Sequence, residues 1–384
     1  MHDISLKNIS FFVFTISINI FLVKLMAVSP VYLGFTLSMI VVGILFSVNP
    51  NHKFFGLNAD DTVMITLICL LCVNASIATV LNLGSLKSLV TAVFSYLCFL
   101  FSFSVNTISK ESVRRTFSIF RFLSILIFIV EAIYRFYYSV SKHAYFFFYD
   151  YKFNSIMFPD TNATAVCIEF FLCFLFYLKA RRIVRISRIE ICITLLLLIL
   201  TFSRAALFGV FSLAVYWCFV RSSYIVKLFV IFCGTFSLFV IMSYFLMDVS
   251  FLTKIDIYVQ TIKYIKKIDF FHFFVGNGFD SSIRFLSRYG HTYVTLYIIE
   301  LGMNSLLVLI IFFLCILSKT KYSSFLVVPF LVTGLSYMPY VIPFFFLYLG
   351  FIYNIECHRN DLFYISQERK RHGKLLCICF AYRR

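Results

Sequence analysis

Apolar residues fill the chain in long unbroken runs, at about 9–28, 31–48, 62–81, 88–108, 117–138, 161–178, 189–203, 205–221, 225–247, 291–317, 323–338 and 339–355. Strands of a membrane barrel would alternate apolar and polar positions, and these runs do not. Most approach the roughly 20 residues that a helix needs to cross a hydrocarbon core about 30 Å thick. The pattern predicts an all-α chain: a polytopic integral membrane helical bundle of about twelve transmembrane helices, with 1–384 forming a single transmembrane domain. Two pairs of runs have almost no connection between them. The seventh and eighth meet at "TFSRAALFG" and the last two divide around Pro339, so each pair has to form a tight hairpin.

Composition agrees with the pattern. The chain is 61% hydrophobic and 13% charged, against roughly a quarter charged in soluble domains, and its mean hydropathy is +0.94. The net charge of +17 changes the picture only through its placement. Lys110, Arg114 and Arg115 sit in one short connection; Lys179, Arg181, Arg182, Arg185 and Arg188 in the next; then come Arg221 and Lys227, Lys319 and Lys321, and a basic tail at 356–384. All fall on one side when twelve spans are counted. The positive-inside rule makes that side the cytoplasm, with both termini inside, and accounts for the charge without a nucleic-acid partner. The first run lacks a small-residue cleavage site and is expected to remain as an anchor. Most cysteines, such as Cys69, Cys98, Cys173 and Cys233, lie within spans and read as small hydrophobes. Cys357, Cys377 and Cys379 with His358 and His372 match no standard zinc spacing, so no metal site is expected.

Two longer segments face the other compartment, about 139–160 and a main loop at 248–290. In "KIDIYVQTIKYIKK", Ile255, Tyr258, Val259, Ile262 and Ile265 share one helical face, and Lys263, Lys266 and Lys267 lie elsewhere. The segment reads either as an amphipathic helix on the bilayer surface or as a loop helix packed on the bundle.

An ionisable group within a span costs at least about 2.5–3.5 kcal/mol on insertion scales, so each one needs a reason. Glu131 and Arg135, four apart, are expected to form an ion pair on one helix face. Glu169 has no such local partner. Glu300 lies about 13 Å along its run from His291 at 1.5 Å per residue, and is expected to face the bundle interior and pair with an arginine. Arg204 sits at the outer boundary between two short spans, where snorkelling alone would account for it. It has company, because Arg284, Arg288 and His291 reach the same face at helical spacing. Guanidinium groups grip phosphate through paired hydrogen bonds and stay charged. The cluster therefore suggests an anionic lipid head group, with a diphosphate the natural guess. "GNGFD" at 276–280 reads as a turn before the cluster, or as glycines that let backbone N–H groups approach an anion.

These segments resemble the O-antigen polymerase and ligase superfamily of bacterial cell-envelope glycosyltransferases. The matching positions are Asp160 and Asn162 of a D-x-N segment; Thr201, Ser203 and Arg204 of T-x-S-R; Gly276 and Gly278 of G-x-G; and His291, Thr292, Tyr293, Glu300 and Gly302 of the H-[NST]-x-[YL] and E-x-G pair. Thr292 stands where many members carry Asn. The resemblance covers residues 158–302 and implies a metal-independent transferase with no cofactor, in the bacterial inner membrane with a periplasmic active face. Its implied partners are undecaprenyl-diphosphate-linked glycan donor and acceptor, membrane lipid and a chain-length regulator protein. The implied roles are binding and stabilisation of diphosphate by Arg204, Arg284 and Arg288, proton acceptance or acceptor orientation by His291, and for Glu300 the positioning of an arginine or, alternatively, action as a catalytic base. Asp160, Asn162 and Tyr293 become glycan or acceptor contacts. A polymerase is the leading expectation; a ligase to lipid A core and a lipid-linked oligosaccharide flippase are the alternatives.

Overall fold

The computed structural model describes residues 2–26, 28–48, 57–58, 61–143, 145, 148–228, 249–286, 290, 292–337 and 342–358. Regular structure among them is helical throughout. The longer helices are α1 (His2–Ser17), α2 (Pro30–Val48), α3 (Asp61–Leu81), α4 (Leu86–Phe101), α5 (Lys110–His143), with short α6 (Phe148–Phe153), then α7 (Thr161–Ala180), α8 (Arg188–Ile199) and α9 (Arg204–Arg221). After these come α10 (Val249–Ile265), the short α11 (Phe270–Val275), α12 (Ser282–Leu286) and α13 (Tyr293–Thr295), and finally α14 (Gly302–Lys319), α15 (Ser324–Gly334) and α16 (Pro343–His358). Six of the helices, α3, α4 with its 3-10 extension to Thr107, α5, α7, α9 and α14, are long and apolar enough to cross a membrane. The chain is thus a helical, membrane-embedded protein.

Polar caps set the helix starts. Asp160 caps α7 by accepting the N–H of Asn162, and Ser187 with Glu190 forms a reciprocal capping box on α8. The expected spans at 31–48, 62–81, 161–178 and 205–221 lie within two residues of α2, α3, α7 and α9. Among the others, α8 and α15 each end four residues early, and three depart further. The first helix ends at Ser17 rather than near 28, because Asn19 turns inward to bond Ser124 (3.0 Å) and Tyr348 (2.6 Å). Helix α5 runs 34 residues, roughly 50 Å, since its charged flanks continue the helix past the apolar run. The run at 291–317 is broken. A π-helical turn at Leu296–Glu300 follows α13, and Gly302, at φ +78°, restarts the chain as α14. Most of the expected span at 225–247, all of the tail beyond 358 and the division around Pro339 lie outside the described residues.

Helix α7 is buried over 83% of its apolar window, and Pro343–Glu356 of α16 are buried without interruption. Helices that are hydrophobic all round belong at the centre of a bundle. They meet through aromatic faces, with Phe174 and Tyr348 stacked at 4.6 Å and Phe330 and Phe345 at 4.5 Å. Lipid offers no hydrophobic drive to assemble helices, so small residues and polar bonds do that work. Gly350 lies against Ser102, and Asn354 bonds Ser102 (2.9 Å) and Asn106 (2.8 Å). At one end, Arg181 pairs with Glu356 (2.7 Å), Asp61 with His358 (2.9 Å) and Arg121 with Glu190 (3.1 Å). These contacts gather helix ends that the charge pattern assigns to a single side.

Candidate functional site

The site begins at the hairpin between α8 and α9. Thr201 Oγ1 donates to Leu198 O (2.6 Å) and accepts from Ser203 N (3.3 Å), while Phe202 takes a left-handed conformation at φ +54°. This tight reversal sets Arg204 in the first turn of α9. The reversal is braced from behind. Leu200 O accepts from the Tyr151 hydroxyl (2.7 Å) and from Arg135 Nη1 (3.3 Å). Arg135 pairs with Glu131 at 3.3 Å, both fully buried, and its guanidinium lies over the Tyr151 ring. Glu131 Oε2 also accepts Ile156 N (3.0 Å). The ion pair expected from spacing is therefore present, and it fixes both segments that lead into Asp160 and Arg204.

Arg204 opens on a cavity of about 300 Å³, lined also by Lys152, Asp160, Asn162, Phe202, Lys254, Thr292 and Tyr337. Among the described lining residues are three cations and one carboxylate, and that carboxylate accepts several hydrogen bonds. Asp160 accepts from Asn162 N (2.9 Å) and Nδ2 (3.0 and 3.1 Å), and from the Tyr337 hydroxyl. Lys254 of α10 donates to Ser336 Oγ, and both line the cavity with Arg204 of α9. Thr292 caps α13, accepting Thr295 N (3.2 Å), and shares a hydrogen bond with Tyr258. Burial pushes the Tyr258 phenol up, so it stays a neutral hydrogen-bonding group, and it donates to Leu335 O (2.6 Å). Positive side chains and the amide end of an 18-residue helix meet at this cavity, and both are features that favour negative charge. Beneath it, Thr333 Oγ1 reaches Glu169 Oε1 (2.5 Å) and Ala205 O (3.3 Å), so Glu169 finds its partner across helices.

The glycine motifs do something else. A Cβ on Gly276 would lie 2.4 Å from Glu300 O, and one on Gly302 would lie 2.3 Å from Phe274 O and 2.5 Å from Gly276 N. All three glycines, Gly276, Gly278 and Gly302, have positive φ. The loop's donors are used internally: Asn277 N bonds Ile299 O (2.9 Å) and Gly278 N bonds Glu300 O (2.8 Å). The Glu300 carboxylate accepts Asp280 N (3.0 Å) and Ser282 N (3.2 Å). The loop then docks on the α3–α4 hairpin, where Ser85 N bonds Phe279 O (3.0 Å) and Ser88 bonds Asp280 (2.7 Å). The turn reading of "GNGFD" thus holds, and these amides are not offered to an anion.

Of the residues singled out from sequence, Asp160, Asn162, Arg204 and Thr292 share the cavity. Arg284 does not line it. It lies with Lys263, Lys267 and His272 on a separate open cavity of about 840 Å³. Tyr293 packs against Gly334 and Phe330 rather than into the Arg204 cavity. Arg288 and His291 fall outside the described residues. Helix α10 has a buried face and an exposed apolar face. Ile257 and Thr261 are buried against the bundle, whereas Ile255, Val259 and Ile262 form an exposed apolar ridge. Lys152, Lys254, Ser336 and Tyr337 were not visible as site residues, because only tertiary contact brings their segments together. Comparison of the chain with family models, with curated proteins and with solved structures returns no match in any of the three.

Proposed function

We propose that the chain is a glycosyltransferase of the O-antigen polymerase kind, working at the outer face of the bacterial inner membrane. It joins undecaprenyl-diphosphate-linked repeat units, moving a growing glycan from one lipid carrier onto a sugar hydroxyl of another. The observation that carries this reading is the cavity in which Arg204, Lys152 and Lys254 converge at the start of a membrane-length helix. A lipid diphosphate needs cationic groups at the point where its polyprenyl tail enters the bilayer, and α9 offers both.

In this mechanism the acceptor hydroxyl attacks the anomeric carbon, the bond from that carbon to the diphosphate oxygen breaks, and the diphosphate departs with the electron pair. Arg204 and the two lysines neutralise the charge that grows on the leaving group. Asp160, held by Asn162 and Tyr337, orients the acceptor side of the cavity. His291, next in sequence to the cavity-lining Thr292, takes the hydroxyl proton, its ordinary pKa being close to the working pH. In this reading the basic helix ends lie in the cytoplasm and 248–290 lies in the periplasm. Reporter fusions at 110–115 and 248–290 test that topology: opposite compartments are expected, and a shared one refutes it. The function itself is tested by complementation. Arg204→Ala is expected to leave single repeat units on lipid A core with normal membrane levels of protein, while loss of all repeat units would indicate a ligase.

A further inference from the structure

At the opposite ends of α7 and α9 from Asn162 and Arg204 lies another cavity, of about 510 Å³. Its floor is apolar, built from Phe176, Val210, Leu213, Ala214 and Phe325. Its rim is cationic, formed by Lys179, Arg182 and Arg221, and no carboxylate is among its described lining residues. The nearby acid, Glu356, is already held by Arg181 (2.7 Å) and Tyr177 (3.0 Å). Trp217 stands where floor meets rim. The Arg221 guanidinium lies over its ring at 4.9 Å, and its buried Nε1–H has no hydrogen-bond partner among the described residues.

Lys179 and Arg221 occupy the last turns of α7 and α9, where cations suit the helix dipole. That accounts for two charges but not for the third, Arg182, which closes the α7 C-terminal cap through its left-handed conformation at φ +53°, nor for the apolar void beneath them. A soluble anion would have no use for that floor. Only 17% of the apolar window of α9 is buried, so the groove runs along a helix that faces outward. The volume falls in the range of small-molecule sites, and the cations sit where a phosphate at the membrane boundary would lie.

We propose that this cavity binds an anionic phospholipid of the inner leaflet, its phosphate among Lys179, Arg182 and Arg221 and an acyl chain along Val210, Leu213 and Ala214. The bound lipid clamps α7 to α9, the helices whose far ends carry Asn162 and Arg204. The inference does not depend on the transferase reading.

Trp217 is the only tryptophan in the chain and so reports on this cavity alone. The full chain is reconstituted in phosphatidylcholine vesicles, and either brominated phosphatidylglycerol or brominated phosphatidylcholine is added at matched mole fraction. Brominated phosphatidylglycerol is expected to half-quench Trp217 at a mole fraction lower by at least about fivefold, the factor one basic residue contributes near an anionic surface. The preference should disappear in Arg182→Gln/Arg221→Gln. In Ala214→Phe, which fills the groove from an exposed position and leaves the cations in place, quenching itself should fall. Equal quenching by the two lipids in the wild-type chain would overturn the proposal, as would a preference that survives in both variants. Loss of the preference on adding inorganic phosphate at constant ionic strength would assign the rim to a free anion and refute the lipid.

Discussion

The Arg204 cavity and the Gly276–Gly302 contact are both built from short polar and glycine motifs, and α10 reaches each of them, yet they are opposites. One is a void ringed by Lys152, Arg204 and Lys254; the other leaves no room for a methyl group. In the cavity, charge is concentrated where an anion could enter. In the glycine contact, backbone donors at 277, 278, 280 and 282 are all consumed by residues 299 and 300. Motif residues that look alike in sequence therefore divide into those that line the cavity and those that hold the loop. The division predicts opposite phenotypes, with activity lost at intact stability on one side and stability lost on the other.

The largest effect is expected at the contact. Gly302→Ala forces a side chain into a left-handed conformation, costing ~1–2 kcal/mol by itself, and drives a methyl into Phe274 O. The total should exceed ~4 kcal/mol, a level reached only by the severest single substitutions. Size-exclusion profiles of the detergent-extracted protein should show little folded material; a normal profile would break the comparison. Next comes Arg204→Ala, expected to lower transfer by about 100- to 1000-fold, the usual loss for one group that stabilises transition-state charge. Its thermal unfolding should match the wild type, and Arg204→Lys should recover part of the rate because charge returns without the bidentate grip.

Glu300→Gln sharpens the comparison, since the carboxylate was a candidate for both roles. The substitution weakens the bonds from Asp280 N and Ser282 N and should cost ~1–3 kcal/mol of stability. The pH profile of the remaining activity should keep its shape; a shifted profile would return Glu300 to the chemistry. The smallest effect belongs to Lys152→Ala, a partly exposed cation on the cavity wall. It should raise KM by about three- to tenfold with kcat nearly unchanged, in keeping with the modest worth of a solvent-accessible charge.

The helices were legible because apolar runs must be helical in a membrane, and α2, α3 and α9 need nothing but that rule. The break before Gly302 was not, since a local window shows an unbroken apolar stretch and the cause is a glycine in a distant loop. The Glu131–Arg135 pair was legible from its spacing, but not its reach to Leu200 and Ile156, which depends on how α5 packs. At the site, Asp160, Asn162, Arg204 and Thr292 stood out through motif order. Lys152 and Lys254 had the plainest surroundings, one in a short connecting segment and one on an amphipathic helix, and only the folded chain sets them beside Arg204. Arg284 shows the converse, because helical spacing pointed it toward Arg204 and the turn at α12 carries it to Lys263 and Lys267 instead.

The central claim is that the Arg204 cavity makes glycosidic bonds. The most direct test gives purified chain, reconstituted in vesicles, synthetic undecaprenyl-diphosphate-linked repeat units on the face bearing Arg204, and resolves the products by length. A ladder of multimers with release of undecaprenyl diphosphate is expected from the wild-type chain and none from Arg204→Ala. Movement of the lipid-linked units across the bilayer with no new bond, or an undiminished ladder from Arg204→Ala, would contradict the account.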